Sequence, residues 1–468
     1  MNKLITALVL CCVFAFGQPR PAVAIRNAKI VTVSGPVIAR GTVVVRNGLI
    51  EAVGDSVQAP PDAMIIDGEG LSVYPGLIDA LSTWGQPGAA MAVTGTATAG
   101  RGGRGTVAVT PTPAVTAATT VAAPPARGPE DRPQTTSWIK AADEVSGMDR
   151  RIETARGAGF TTAVTFPTRG IFAGQGAVID LLSGEKPGEM VVASPVGQYI
   201  SLGRGGFGGG MGGGFPSALM GYIAYVRQIY LDLEHYRLVK DAYAKDPRGM
   251  QRPEYDRALE GLMDSPRVLL PANRLVEIDR MLRLAADLKQ PAILYGGREA
   301  YRPEAAELLK RSNTALLLSM RWPEKSRDAD PDEVDSMRTL ETRDKAPLAA
   351  AVLAKARVRW AFYSDGLEQA RDLQRAIKKA LDAGLSREDA LRALTLSPAE
   401  IYGVQERLGS IEKGKIGNLV LTRGDLFDDR TKVEAIIVDG RKYTPAPEAP
   451  MGGRGPATEE PGNSGGLR

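Results

Sequence analysis

The sequence predicts an α/β protein in two parts, a long alternation of strands and helices and a small β domain assembled from both chain ends. Three observations predict it. Strand-like runs with hairpin signals open the chain and close it, and each set is too small to stand alone as a sheet. Between them short apolar runs alternate with helical periodicity. The length of 468 residues suits a strand–helix barrel of about 250 residues plus a companion domain. With 43% hydrophobic and 24% charged residues, the chain has enough apolar surface for a large core, and wholesale disorder is excluded.

Residues 1–24 read as a secretory leader. Lys3 supplies the positive start, Leu4 to Phe16 is apolar, and Ala22-Val23-Ala24 offers small residues for cleavage, with Gly17 as the second choice. The apolar run is too short to span a bilayer. Leu10 precedes Cys11 where bacterial lipoprotein signals carry Gly, Ala or Ser, so Cys11 and Cys12 read as ordinary leader residues. The expectation is an exported protein, periplasmic or extracellular, with no membrane anchor. Its expected division is leader 1–24, N-terminal β part 25–72, strand–helix body 73–404, C-terminal β part 405–444 and disordered tail 445–468.

In chain order, Ala28 to Val53 reads as strands, with Asn47-Gly48 a two-residue hairpin turn. The far end mirrors it in NLVLT (418–422) and VEAIIVDGRKY (433–443), where Asp439-Gly440 is the second turn. Body strands are expected at Thr161–Phe166, Ala292–Tyr295, Ala315–Ser319 and Val358–Tyr363. Helical periodicity covers 218–245, 273–288, 346–355 and 367–383. Ser386 with Asp389 forms a capping box, and Ser397-Pro398 opens a short helix that Gly403 closes. Residues 86–135 are a low-complexity excursion and 203–214 a Gly-rich loop. No Gly-Lys-Ser/Thr follows these glycines, so neither is a phosphate loop. The segment GIFAGQGAVIDL (170–181) reads either as close-packed backbone or as a ligand-facing loop.

Composition also limits the chemistry. A net charge of +4, scattered along the chain, does not argue for nucleic acid, and RGGRG at 101–105 reads as solvated linker. The single histidine is His235, and both cysteines lie in the leader. A zinc site, a Ser-His-Asp triad and a Cys-His pair of the usual kind are therefore excluded. His235 sits on a long amphipathic helix and reads as a surface or packing residue.

VYPGLIDALSTWG (73–85) resembles the first barrel strand of the metal-dependent amidohydrolase superfamily, in its imidazolonepropionase-like and dihydroorotase-like branch. GAGFTTAVTFP (157–167), FYSDG (362–366) and the run from Ala390 to Leu421 resemble later motifs of that family in order. The resemblance implies a distorted (β/α)8 TIM-type barrel plus a small composite β-sandwich formed by both chain ends. Active members carry His-x-His after PGLID and further His on later strands, holding Zn²⁺ or a similar ion whose bound water becomes the nucleophile. Here the two motif positions are Leu81 and Thr83, and Tyr295 and Ser319 stand where later ligands belong. Of the set only Asp365 remains, a relict catalytic position, and one carboxylate cannot fix such an ion. Gly417-Asn418 replaces the family's Ala-Asp. Glu299, Glu324 and Asp328 near strand ends offer a carboxylate-only alternative suited to Mg²⁺, Mn²⁺ or Ca²⁺.

Two functions follow. The first is a metal-free pseudo-hydrolase that binds a small-molecule ligand or a partner in the barrel pocket. The second is an active hydrolase of carbon–nitrogen bonds, amides or cyclic amides, using an atypical site around Asp365 with one divalent metal, Zn or similar, or with none of the family's metals. A related metal-bearing amidohydrolase subunit is a candidate partner. Tyr222, Tyr225, Tyr230 and Tyr236 on the long helix either form its docking face or simply cover the barrel.

Overall fold

In a computed structural model of the chain, residues 22–87, 132–184, 186–202, 215–216, 218–325, 330, 334–367, 369–428 and 431–445 are described. The leader through Pro21, residues 88–131 of the low-complexity stretch, the 203–214 loop and the tail after Pro445 lie outside them.

The chain begins with β1 (Val23–Ile30), β2 (Ile38–Arg46), β3 (Leu49–Gly54), β4 (Met64–Asp67) and β5 (Ser72–Pro75). The body contributes β6 (Leu77–Ser82), β7 (Phe160–Thr165), β8 (Phe172–Gln175), β9 (Ala177–Asp180), β10 (Val191–Ala193) and β11 (Gln198–Ile200). It continues with β12 (Val268–Ala272), β13 (Ala292–Gly296), β14 (Ala315–Ser319) and β15 (Trp360–Tyr363). The chain closes with β16 (Leu419–Arg423), β17 (Lys432–Val438) and β18 (Arg441–Tyr443).

Both ends share one sheet, ordered β18-β17-β16-β5-β1-β2-β3 with β4 against β1. Both hairpin turns form as the sequence predicts. Asn47 and Gly48 have φ of 52° and 82°, and Asp439 and Gly440 have 49° and 71°. This double left-handed conformation matches the twist of the flanking strands. One face of the sheet gathers Ile25, Ile30, Val43, Val45, Val73, Leu419, Leu421 and Ile437 into a closed apolar cluster. Residues of opposite parity, Val420, Ile436 and Val438, join the core of the body instead. Val23 and Ala24, assigned above to the leader, are 4% and 0% exposed and pair with Val45 and Val44 inside β1.

The body holds two further sheets, β10-β9-β7-β6 and β15-β14-β13-β12-β11-β8. From β11 to β15 each strand is parallel to the next, as strand–helix alternation requires. Side-chain parity divides each strand. Leu316 and Leu318 of β14 belong to the helix-covered core, whereas Ala315 and Leu317 join Ile78, Val164, Leu269 and Ala361 in an inner cluster. The two sheets meet at both margins. β8 passes through Gly176 directly into β9, and β6 lies beside β15.

The 170–181 segment is thus two strands, and the close-packed alternative is the one realised. A Cβ on Gly176 would fall 2.2 Å from the Phe166 ring, so only glycine admits that aromatic to the inner cluster. The long helix spans Leu219–Lys245, and others cover Leu275–Asp287, Ala349–Lys355 and Ala370–Asp382. The helix Met337–Lys345 escapes sequence reading because none of its residues is buried, which leaves no apolar stripe to detect. Ser386 caps its helix by accepting from Asp389 N, and Gly403 at φ 78° ends the helix Leu396–Tyr402. The docking reading of the long helix is overturned at three of its four tyrosines. Tyr222, Tyr225 and Tyr230 are buried in the core, and the Tyr236 hydroxyl donates to Glu260. No helix among the described residues is long and apolar enough to cross a membrane.

Candidate functional site at the strand ends

β13, β14 and β15 end side by side, with Ser319 opposite Tyr363 in register. The chain then turns through Asp365 and Gly366, at φ 50° and 75°. Aspartate tolerates this left-handed conformation better than most residues. The turn brings the Asp365 carboxylate back over Ser319, whose hydroxyl donates to Oδ2 at 2.7 Å. Arg321 Nε donates to the Asp365 carbonyl at 2.8 Å, and Arg321 N donates to Ser319 Oγ at 3.1 Å. Tyr295 donates its hydroxyl to the Ile200 carbonyl at 3.1 Å. Its ring stacks on Tyr199, with centroids 5.2 Å apart and planes at 24°. Phe166 lies 5.9 Å from Tyr199 and 6.5 Å from Tyr402, whose hydroxyl donates to the Ala80 carbonyl.

Below this mouth Asp79, the acid of PGLID, is fully buried. It accepts from Ser364 N at 2.9 Å and Ser364 Oγ at 2.5 Å, tying β6 to the end of β15. Burial pushes its carboxyl up to about 7 despite these bonds. Burial also raises the phenols of Tyr199, Tyr295 and Tyr363, and the charge of Asp365 adds to the rise in each. These hydroxyls therefore stay protonated at neutral pH.

The structure brings Tyr295, Ser319 and Asp365 together and sets Leu81 in the same inner cluster, with Ile78, Val164, Phe166 and Tyr363. Thr83 is bound to Arg151. Its hydroxyl accepts from Arg151 Nη1 at 3.0 Å, its carbonyl accepts from Arg151 Nη2, and Asp149 pairs with the same guanidinium. The residues present do not fit the family's metal ion. Leu81 has no donor atom, the Thr83 hydroxyl is held by Arg151, the phenols are far from ionised, and Asp365 alone offers charge. Among the described residues no group of three or more His, Cys, Asp or Glu could hold a metal.

Two acids of the carboxylate-only alternative are engaged by cations. Glu299 accepts from Arg338 and from Leu275 N, Glu324 pairs with Lys379 of the helix Ala370–Asp382, and Asp328 lies outside the described residues. His235 is exposed on its helix and borders an outer cleft of about 910 Å³ beside Tyr236, Tyr255 and Asp256. Sequence reading missed Tyr199, Tyr363 and Asp79. The last two carried a signal, since strand parity places Tyr363 beside Ser319, and Asp79 is the one acid in an apolar run.

Residues 298–443 match the Amidohydrolase family. The fold is similar to an amidohydrolase from Thermotoga maritima MSB8, with 25% identity over 91% of this chain and 100% of the other and a TM-score of 0.70. It is also similar to a prolidase solved with N-methylphosphonate-L-proline, at 16% identity, covering 91% of this chain and 100% of that one, TM-score 0.53. Molinate hydrolase is similar at 15% identity over 96% and 100%, TM-score 0.51. These last two carry the fold alone. Together the likenesses imply a TIM-barrel fold of mixed α/β content. No curated protein matches the chain.

Proposed function

Because residues 298–443 match the Amidohydrolase family and the fold is similar to an amidohydrolase, we propose that the chain is an exported, metal-free member of that superfamily that binds a small ligand at its strand ends. In this reading the two body sheets form one distorted (β/α)8 barrel, and the terminal sheet is its sandwich-like companion. The run of β8 into β9 and the Asp79–Ser364 bonds between β6 and β15 support closure. A barrel keeps a pocket at its strand C-termini when the chemistry goes.

The observation that carries the reading is the fate of the two positions after PGLID. Leu81 is buried in the inner cluster, and the Thr83 hydroxyl is held by Arg151, so neither can help generate a metal-bound nucleophile. The alternative is hydrolysis of carbon–nitrogen bonds around Asp365, which the hydrolase relatives favour. A metal-bearing partner chain would have to use a face other than the buried Tyr222, Tyr225 and Tyr230.

Metal analysis of dialysed protein, beside a screen on cyclic amides and acyl dipeptides, separates the readings. The expected result is well under one equivalent of Zn²⁺, Mn²⁺, Fe²⁺ or Ni²⁺ and no turnover. Leu81→His with Thr83→His is expected to restore neither, since the later-strand donors and the groups that orient them are missing. Stoichiometric metal, lost together with amide hydrolysis in Asp365→Ala, would establish the alternative.

A further inference from the structure

We propose that the mouth formed by Tyr199, Tyr295, Tyr363 and Asp365 binds an organic ammonium ion; this rests on the ligand-binding reading above and names its ligand class. Four observations point to a cation. First, Asp365 is only partly covered, and its carboxylate accepts one hydrogen bond, from Ser319, while forming no ion pair among the described residues. A partly exposed carboxylate without a countercharge is open to one from solution. Second, the surrounding wall is aromatic. Tyr199 and Tyr295 stack at 5.2 Å, Phe166 adjoins Tyr199, and both tyrosines keep part of their surface accessible although they pack on the inner cluster. Ring faces carry partial negative charge and attract weakly hydrated cations.

Third, the local field is negative. The charge of Asp365 raises all three phenols, and exposed Arg298 opposes it at Tyr363. Arg321, the other guanidinium at the rim, places its Nε on the Asp365 backbone carbonyl rather than on the carboxylate. Fourth, the donor set suits an organic cation and not a metal ion. One carboxylate and neutral hydroxyls cannot replace the hydration shell of a divalent ion, but they can accept N–H bonds or face methylated nitrogen.

Calorimetric titration of the full-length protein with benzyltrimethylammonium chloride, and separately with sodium benzoate at equal ionic strength, tests this. The expected result is saturable one-to-one binding of the ammonium probe and none of benzoate. Asp365→Asn keeps a residue that accepts the left-handed turn and is expected to weaken binding about tenfold or more, by removal of the charge. Tyr199→Leu is expected to weaken it by about tenfold, whereas Tyr199→Phe, which retains the ring face, should stay within about threefold of wild type. Thermal melts of each variant confirm folding, and Tyr199→Phe with Asp365→Asn decide the matter if Tyr199→Leu fails to fold. Absence of saturable ammonium binding by the wild type, or binding that survives Asp365→Asn unchanged, would overturn the proposal. Benzoate binding lost in Tyr199→Leu would overturn the cation assignment and leave the ligand-binding reading intact. Stoichiometric bound metal would overturn both.

Discussion

Asn418 joins the two parts of the molecule through a single amide. Its Nδ2 donates to Asp180 Oδ1 at 2.6 Å and Thr162 Oγ1 at 3.0 Å, while its Oδ1 accepts from Asp439 N at 2.8 Å. The aspartate that the family resemblance suggests at this place would face Asp180 with a second carboxylate. Asp180 is itself buried, and burial pushes its carboxyl up to about 7. The sign for stability follows from linkage. Below about pH 4 the folded and unfolded chains both hold the proton. Between about 4 and 7 the unfolded chain releases it while the folded chain keeps it, so stability falls as pH rises through this window. The loss from this group is on the order of a few kcal/mol and is complete above the folded value. Urea unfolding from pH 4 to 8 is expected to show this decline in the wild type and a shallower one in Asp180→Asn. Parallel profiles would mean that Asp180 ionises normally in the folded protein.

At the scale of elements, the terminal strands are the most interdependent. β16 pairs with β5 through Leu419–Pro75 and Leu421–Val73, and its inward leucines complete the cluster of Val43, Val45 and Ile50. Each buried leucine or isoleucine contributes about 1.5–3 kcal/mol, so losing several exceeds much of the ~5–15 kcal/mol that holds a typical domain folded. A chain ending before Asn418 also leaves β5 as an unpaired edge, ready to pair with other chains. The truncated protein is therefore expected to be insoluble. A soluble product with a cooperative melt would instead show that the two ends fold independently.

Across the whole molecule, the start of the folded chain constrains processing. β1 is flanked by β2 on one side and by β4 and β5 on the other, and Ala22, Val23 and Ala24 are all buried. Cleavage after Ala24 would remove the residues paired with Val45, Val44, Met64 and Ile65. Cleavage after Gly17 would spare them. A chain beginning at Ile25 is accordingly expected to melt several degrees below one beginning at Gln18, since about 1–2 kcal/mol shifts the melting temperature by a few degrees in a protein of this size. Mass spectrometry of exported protein should find the start at Gln18. A start at Ile25 with an undiminished melt would remove β1's first residues from the fold's requirements.

Much of this was legible without the structure because it depends on local chemistry. The hairpins at Asn47-Gly48 and Asp439-Gly440 are written in residues that accept positive φ, and the caps at Ser386 and Gly403 need only their own helix. The loss of the histidine donor set is a property of atoms, so Leu81 declares it wherever it sits. Tertiary structure decided what depends on distant partners. Arg151 reaches across 68 residues to take the Thr83 hydroxyl out of play, and Ser364 reaches across 285 to hold Asp79. β8 and β9 were hidden because both are short and buried on both faces, which leaves no alternation for periodicity to read. The tyrosine mouth joins β11, β13 and the end of β15, and only the parallel register of these strands brings its rings and carboxylate together.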